Sequence, residues 1–314
     1  MSTTKIGGAT LRALSDELAA AVDRASRSLV AIHARPRIAA SGVYWRDGIV
    51  VAANHTLRKD ADIALTMPDG SRGRANVVGR DGGTDLAVLR VESGSSAVVP
   101  EFAPDDDLRV GHLMLAVGRP GDEGVTASLG VVSAVGGAWR TWSGGDVDRF
   151  VRLDLSIYDG FSGGPLVDAS GRVAGINCSA LARGLPLAIP SSTVNRVVDA
   201  LLTRGHVPRG FLGVAMQPVR LPPAMTQRLG LESADAVMIT MVDGDSPAER
   251  AGLLLGDVVV AIEGDAINEP EDVTAYLGAD RVGTTIQLTV VRGGAKMNVS
   301  VVVGERQRRK GGEG

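Results

Sequence analysis

The chain has 314 residues, 44% hydrophobic and 22% charged, which suits two or three domains with real cores and excludes a disordered polymer. Its net charge of −3 comes from interspersed signs with no basic stripe, so nucleic acid is not expected as the main partner. The one cysteine, Cys178, excludes an intrachain disulfide, and without a Cys/His cluster neither a structural zinc site nor any other metal or cofactor is expected.

In chain order, residues 1–15 read as a flexible tail ending at Ser15, a candidate N-cap followed by Asp16 and Glu17. Leu18, Ala21, Val22 and Ala25 then recur at helical spacing. Asp16, Glu17, Asp23, Arg24 and Arg27 interrupt any apolar h-region, so this stretch does not read as a signal peptide. No apolar run reaches the roughly 18 residues of a membrane span. The location expected from these features is cytoplasmic, or extracytoplasmic if an export segment is missing from the given start.

From Ser28 the period changes to that of strands. Ser41–Trp45 and Ile49–Ala53, joined through Arg46-Asp47-Gly48, read as a β-hairpin. Short apolar runs follow at 64–67, 75–78, 86–91, 113–117, 131–132, 150–155, 173–178 and 187–189, separated by turn residues. Many short strands without intervening helices indicate an all-β barrel or sandwich. Val194, Val197, Val198, Leu201 and Leu202 then line one face of a helix opening at Ser192 and stopped by Gly205. Pro208-Arg209-Gly210 reads as a linker. Beyond it, strands at 211–214, 238–242 and 257–263, a capped helix from Ser246 to Gly252, a helix at 271–277 and a hairpin over 286–303 form an α+β unit. Residues 305–314 are a charged tail.

Three positions carry chemistry. Ser162 lies among glycines in Asp159-Gly160-Phe161-Ser162-Gly163-Gly164-Pro165, where the backbone can expose a hydroxyl and aim N–H groups at one point. By itself such a stretch is turn material. His55 ends a strongly apolar strand, and Asp85 opens another. Each alone reads as a strand-end residue. Together they stand in the order His, Asp, Ser, one of three chain orders known for this triad. His55 would take the proton of Ser162, Asp85 would hold the imidazole tautomer, and the N–H groups of Gly160 and Ser162 would bind the oxyanion, worth about 3–4 kcal/mol per donor. Cys178 reads first as a small buried hydrophobe, not as a catalytic thiol.

On these motifs the chain resembles the HtrA (Deg) family of serine proteases. The residues that carry the likeness are Asn54-His55, Thr84-Asp85-Leu86-Ala87, Gly160-Phe161-Ser162-Gly163-Gly164-Pro165, Gly175-Ile176-Asn177, Gly210-Phe211-Leu212-Gly213-Val214 and Ser246-Pro247-Ala248-Glu249-Arg250-Ala251-Gly252. The resemblance implies a mostly β fold: a chymotrypsin-like double β-barrel over 16–205, then an α+β PDZ domain over 206–304. It also implies protein quality control and stress response, through cleavage of unfolded or damaged proteins via an acyl-enzyme. The PDZ domain would bind polypeptide C-termini at Phe211, Leu212, Gly213 and Val214. A non-catalytic peptide-binding scaffold or chaperone of the same architecture is the alternative. The substrate pocket would be lined by Ser156 and by Asn177, Cys178 and Ser179. Ser156 is neutral where trypsin carries its specificity acid, so a small aliphatic P1 residue is expected. Phe161 departs from the family's usual Asn. Family members often form homotrimers through N-terminal aromatics, and residues 1–43 contain none.

Overall fold

The computed structural model describes residues 8–92, 96–122, 124–181 and 185–305, which form two compact units meeting in sequence at Val207 and Pro208. Residues 1–7 of the expected N-terminal tail and 306–314 of the C-terminal one lie outside the described residues.

The first unit begins with helix α1 (Gly8–Ser26), which starts at Gly8 and not, as the cap at Ser15 suggests, one residue beyond it. Ala9, Leu11, Ala13 and Leu14 are good helix formers, so the helix runs through Ser15. Only its later turns are anchored: Ala21 and Ala25 are buried, whereas Leu11 and Leu14 are exposed.

Two closed six-stranded barrels follow. The first contains β1 (Leu29–His33), β2 (Ala40–Arg46), β3 (Ile49–Ala53), β4 (Ile63–Thr66), β5 (Arg72–Asp81) and β6 (Leu86–Val91), in the order β1-β2-β3-β6-β5-β4. The second is built from β7 (Leu113–Gly118) and β8 (Thr126–Val135), then, after a small hairpin of β9 (Trp139–Arg140) and β10 (Asp146–Val147), from β11 (Val151–Asp154), β12 (Pro165–Asp168), β13 (Val173–Cys178) and β14 (Leu187–Pro190). Its order is β11-β14-β13-β12-β7-β8.

Strand β3 is apolar without alternation because both its faces are buried. Val50 and Ala52 point into the first barrel with Ala87 and Leu89, while Ile49 and Val51 join Val117, Val167 and Ile189 of the second barrel in a shared core. Helix α2 (Ser191–Arg204) adds Val194, Val197, Val198 and Leu201 to that core and ends at Gly205, whose φ of 73° is the left-handed cap expected of it.

The second unit pairs β15 (Gly210–Phe211) with β22 (Gly304–Glu305). Its main sheet runs β16 (Val214–Arg220), β17 (Asp235–Val242), β18 (Val258–Ile262), β20 (Thr285–Arg292), β21 (Ala295–Val302), with β19 (Asp265–Ala266) beside β18. Helices α4 (Pro247–Arg250) and α5 (Pro270–Ala275) complete it around Val237, Ile239, Val259, Ile262, Leu288 and Val301, while α3 (Pro223–Leu229) packs Met225 and Leu229 on a second cluster with Leu221, Ala236, Val260 and Val291. Ser246 caps α4 as its sequence indicates, its Oγ accepting from the Glu249 N–H at 3.1 Å. Among the described residues no helix is long and apolar enough to cross a membrane.

Candidate active site

Antiparallel pairing brings the base and the acid together. Strands β3 and β6 align Ala53 with Leu86, so the residue pair just after β3 faces the residue just before β6. The Asn54 N–H donates to the Asp85 carbonyl at 2.8 Å. The Asp85 carboxylate then grips His55 twice: Oδ1 accepts the backbone N–H at 2.9 Å and Oδ2 meets Nδ1 at 2.6 Å. A carboxylate with this partner accepts, so the proton sits on Nδ1 and the Nε2 lone pair is left for a substrate or nucleophile. Asp85 has φ 58°, in the left-handed region that aspartate tolerates better than most side chains. Arg80, on β5, ties down the His55 turn: its Nη1 reaches Asn54 Oδ1 at 2.9 Å and the Leu57 carbonyl at 3.2 Å.

The nucleophile loop joins β11 to β12. The Gly163 N–H donates to the Asn177 carbonyl and the Asn177 N–H to the Gly164 carbonyl, both at 2.9 Å, which hangs the loop on β13. Gly163 has φ 89°, and a Cβ there would overlap the Ser41 carbonyl of the first barrel, so glycine is required where the loop crosses between barrels. The Ser41 hydroxyl donates to the Gly160 carbonyl at 2.6 Å. Among the described residues no hydrogen bond uses the N–H of Gly160 or Ser162, the two expected oxyanion donors. The Ser162 hydroxyl is paired with Ser179 Oγ at 2.9 Å, and no hydrogen bond among the described residues joins it to His55.

Phe161 turns away from the chemistry. It is 2% exposed, meets Tyr158 edge-on at 5.4 Å, and lies over Gly118, where a Cβ would come within 2.6 Å of the ring. The aromatic therefore anchors the loop from below. Phe161→Ala is expected to lower stability by about 3–5 kcal/mol, the usual cost of emptying a buried aromatic site. Urea denaturation will show it as a lower midpoint at unchanged slope; an unchanged midpoint contradicts this role.

The four residues expected around the substrate pocket do not form one lining. Asn177 is fully buried, and its Nδ2 donates to the Pro165 carbonyl at 2.8 Å beneath the loop. Ser156 is exposed, with its backbone N–H on Ser128 Oγ at 3.2 Å. Only Ser179 touches the nucleophile. Cys178 lies behind the acid, its Sγ donating to Asp85 Oδ2 at 3.0 Å. Burial first, and then the Asp85 charge and hydrogen bond, push the thiol pKa well up, so it stays a donor. His55, Asp85 and Cys178 present ligand-type atoms within 4.8 Å of one another. The spacings of 2.6 and 3.0 Å are nevertheless hydrogen-bond lengths. Around a tetrahedral zinc the same pairs would stand roughly 3.3–3.6 Å apart, so the arrangement suits shared protons.

In the second unit, Phe211 ends β15, Leu212 and Gly213 form the turn, and Val214 opens β16. No hydrogen bond among the described residues uses the N–H of Leu212 or Gly213. Strand β16 is the last in its sheet, with α5 beside it. Free N–H groups leading into an open strand edge can receive a carboxylate and an added strand.

Two supporting residues are not legible as such in the sequence. Ser41 and Arg80 act through contacts across long chain separations, and neither stands in a motif.

Comparison with known proteins agrees with this geometry. The profile of the trypsin-like peptidase domain matches residues 40–176, and that of the PDZ domain matches 210–303. The probable periplasmic serine endoprotease DegP-like of Rhizobium meliloti is 37% identical over 276 residues, 86% of this chain and 54% of the relative. That of Chlamydia pneumoniae is 34% identical over 273 residues, 84% and 54% respectively. The chain thus spans about half the length of the curated relatives it matches. The HtrA-type protease AlgW, solved with a tripeptide, superposes with a TM-score of 0.74 at 31% identity, covering 94% of this chain and 99% of that one. The serine endoprotease of Yersinia pestis gives 0.72 at 28% identity, with 91% and 97% covered. These names correct the cytoplasmic location expected above, because the curated relatives are named as periplasmic enzymes. A missing h-region in the first residues is no measure of compartment.

Proposed function

The chain belongs to the HtrA family of serine proteases, and from that premise we propose that it is a serine endopeptidase cleaving unfolded or damaged polypeptides through an acyl-enzyme. The observation that carries this reading is the grip of Asp85 on both N–H groups of His55, beside a glycine-flanked serine. The functional division is a protease domain over 16–205 and a PDZ domain over 206–304.

Ser162 Oγ turns from Ser179 to His55 Nε2 and attacks the scissile carbonyl, and His55 takes its proton. The N–H groups of Gly160 and Ser162 receive the oxyanion. Collapse expels the amine with the proton from His55 and leaves an ester on Ser162. Water, deprotonated by His55, then releases the acid and restores the hydroxyl. No cofactor enters this cycle. Ser179 and the exposed Ser156 offer neutral walls to the pocket, which favours a small aliphatic P1 residue. The stretch of Phe211, Leu212, Gly213 and Val214 takes polypeptide C-termini, with the peptide added along β16. Quality control and stress response are the work that the family resemblance implies, and the compartment proposed for it is the periplasm, as in the names of the curated relatives. Homotrimeric assembly is proposed on family grounds alone.

The test is labelling with a fluorophosphonate probe followed by peptide mapping. One label per chain on the peptide containing Ser162 is the expected result. A folded chain that takes no label would replace this reading with the non-catalytic scaffold.

A further inference from the structure

The aspartate turn is clamped from a hairpin outside its own barrel. Asp81 holds it on one side: its carboxylate accepts from the N–H groups of Gly83 at 3.2 Å and Thr84 at 3.1 Å, and from the Thr84 hydroxyl at 2.7 Å. On the other side stands the small β9–β10 hairpin, a separate two-stranded sheet inserted between β8 and β11 of the second barrel. The buried Thr141 hydroxyl donates to the Gly83 carbonyl at 2.7 Å and accepts the Gly145 N–H at 3.0 Å. Gly145 approaches so closely that a Cβ would overlap the Gly83 carbonyl. The Gly83–Thr84 peptide, one unit before the peptide of Asp85, is therefore held at both its N–H and its carbonyl. The next residue, Asp85, sits in the left-handed region at φ 58°, a conformation that persists where its surroundings over-determine it.

We infer that Thr141 is a positioning residue for the triad: its hydroxyl fixes the Gly83 carbonyl and thereby aims the Asp85 carboxylate at His55. The inference rests on the triad reading above. Thr141 touches neither His55, Ser162 nor a substrate atom in this chain of contacts. It acts only through the backbone of the acid's turn. Its hairpin, inserted between β8 and β11, links the acid of the first barrel to the chain segment that joins two strands of the second, the barrel that carries Ser162.

The test uses the full chain and two readouts. One is the low-field proton resonance of His55 Nδ1–H in its 2.6 Å bond to Asp85. The other is the rate of fluorophosphonate labelling. Thr141→Val keeps the shape and removes the hydroxyl. It is expected to weaken or abolish the low-field resonance and to slow labelling about ten- to a hundredfold, the scale of a sub-ångström to ångström misplacement. Thr141→Ser keeps the hydroxyl and is expected to restore both. If Thr141→Val does not fold, Gly145→Ala, which displaces the same carbonyl while leaving the hydroxyl, is read in the same way. A folded Thr141→Val, or Gly145→Ala in its place, with wild-type resonance and labelling rate overturns the inference. The resonance reports the His55–Asp85 bond whether or not the chain hydrolyses peptides. A wild-type chain that shows it and never labels would defeat the protease reading and leave this one open to the resonance alone.

Discussion

Ser162→Ala is expected to reduce kcat for casein hydrolysis by about six orders of magnitude, near 8 kcal/mol of transition-state stabilisation. The attacking oxygen is gone, so no acyl-enzyme forms and His55 has no proton to accept. What remains is the weaker activity over water that binding and oxyanion donors supply. KM should change little, because the Ser162 hydroxyl is paired with Ser179 at rest and its removal leaves the pocket walls in place. The loop should keep its form, since it hangs on the backbone bonds of Gly163 and Gly164 to Asn177 and on the buried Phe161 ring. Adding His55→Ala should cost almost nothing more, because the two side chains act as one unit. Comparable hydrolysis by Ser162→Ala and wild type would show that the nucleophile lies elsewhere or that a contaminant does the work.

The parts of this architecture that the sequence displays are those made by local pattern. Strand β3 shows as a continuous apolar run because both faces are buried, and α2 shows because one stripe packs and Gly205 stops it. The proposed triad is legible because its three side chains stand in glycine- or strand-end contexts whose chain order matches a known geometry. What does not show depends on contacts across long separations. The two-residue strands β9 and β10 are too short to impose a period, yet they carry Thr141 to Gly83 across 58 residues of chain. Helix α1 begins before its apparent cap because nothing in Ala9–Leu14 breaks a helix. The family resemblance points to Asn177 and Cys178 for the pocket, and both are fully buried here. Cys178, the last residue of β13, reaches the acid, and Ser179, just beyond the strand end, reaches the nucleophile.

Asp85→Asn is expected to lower kcat/KM by about four orders of magnitude, roughly 5.5 kcal/mol, without unfolding the chain. The two carboxylate oxygens receive three donors: the His55 N–H, His55 Nδ1–H and the Cys178 thiol. An amide has one oxygen and one NH2. Whichever way it turns, the NH2 faces at least one of those donors. If the oxygen stays on the His55 backbone N–H, the NH2 meets Nδ1, which must then give up its proton, and Nε2 takes one. That tautomer presents an N–H to Ser162 and cannot act as base. The backbone should hold, because asparagine tolerates the left-handed conformation found at φ 58° about as well as aspartate does. Asp85→Ala, by contrast, adds strain there of about 1–2 kcal/mol and leaves the donors unpaired, so it should lose stability as well as activity. Steady-state kinetics and thermal unfolding of both variants separate the two effects. A fall of less than tenfold in the folded Asp85→Asn chain would remove Asp85 from the triad.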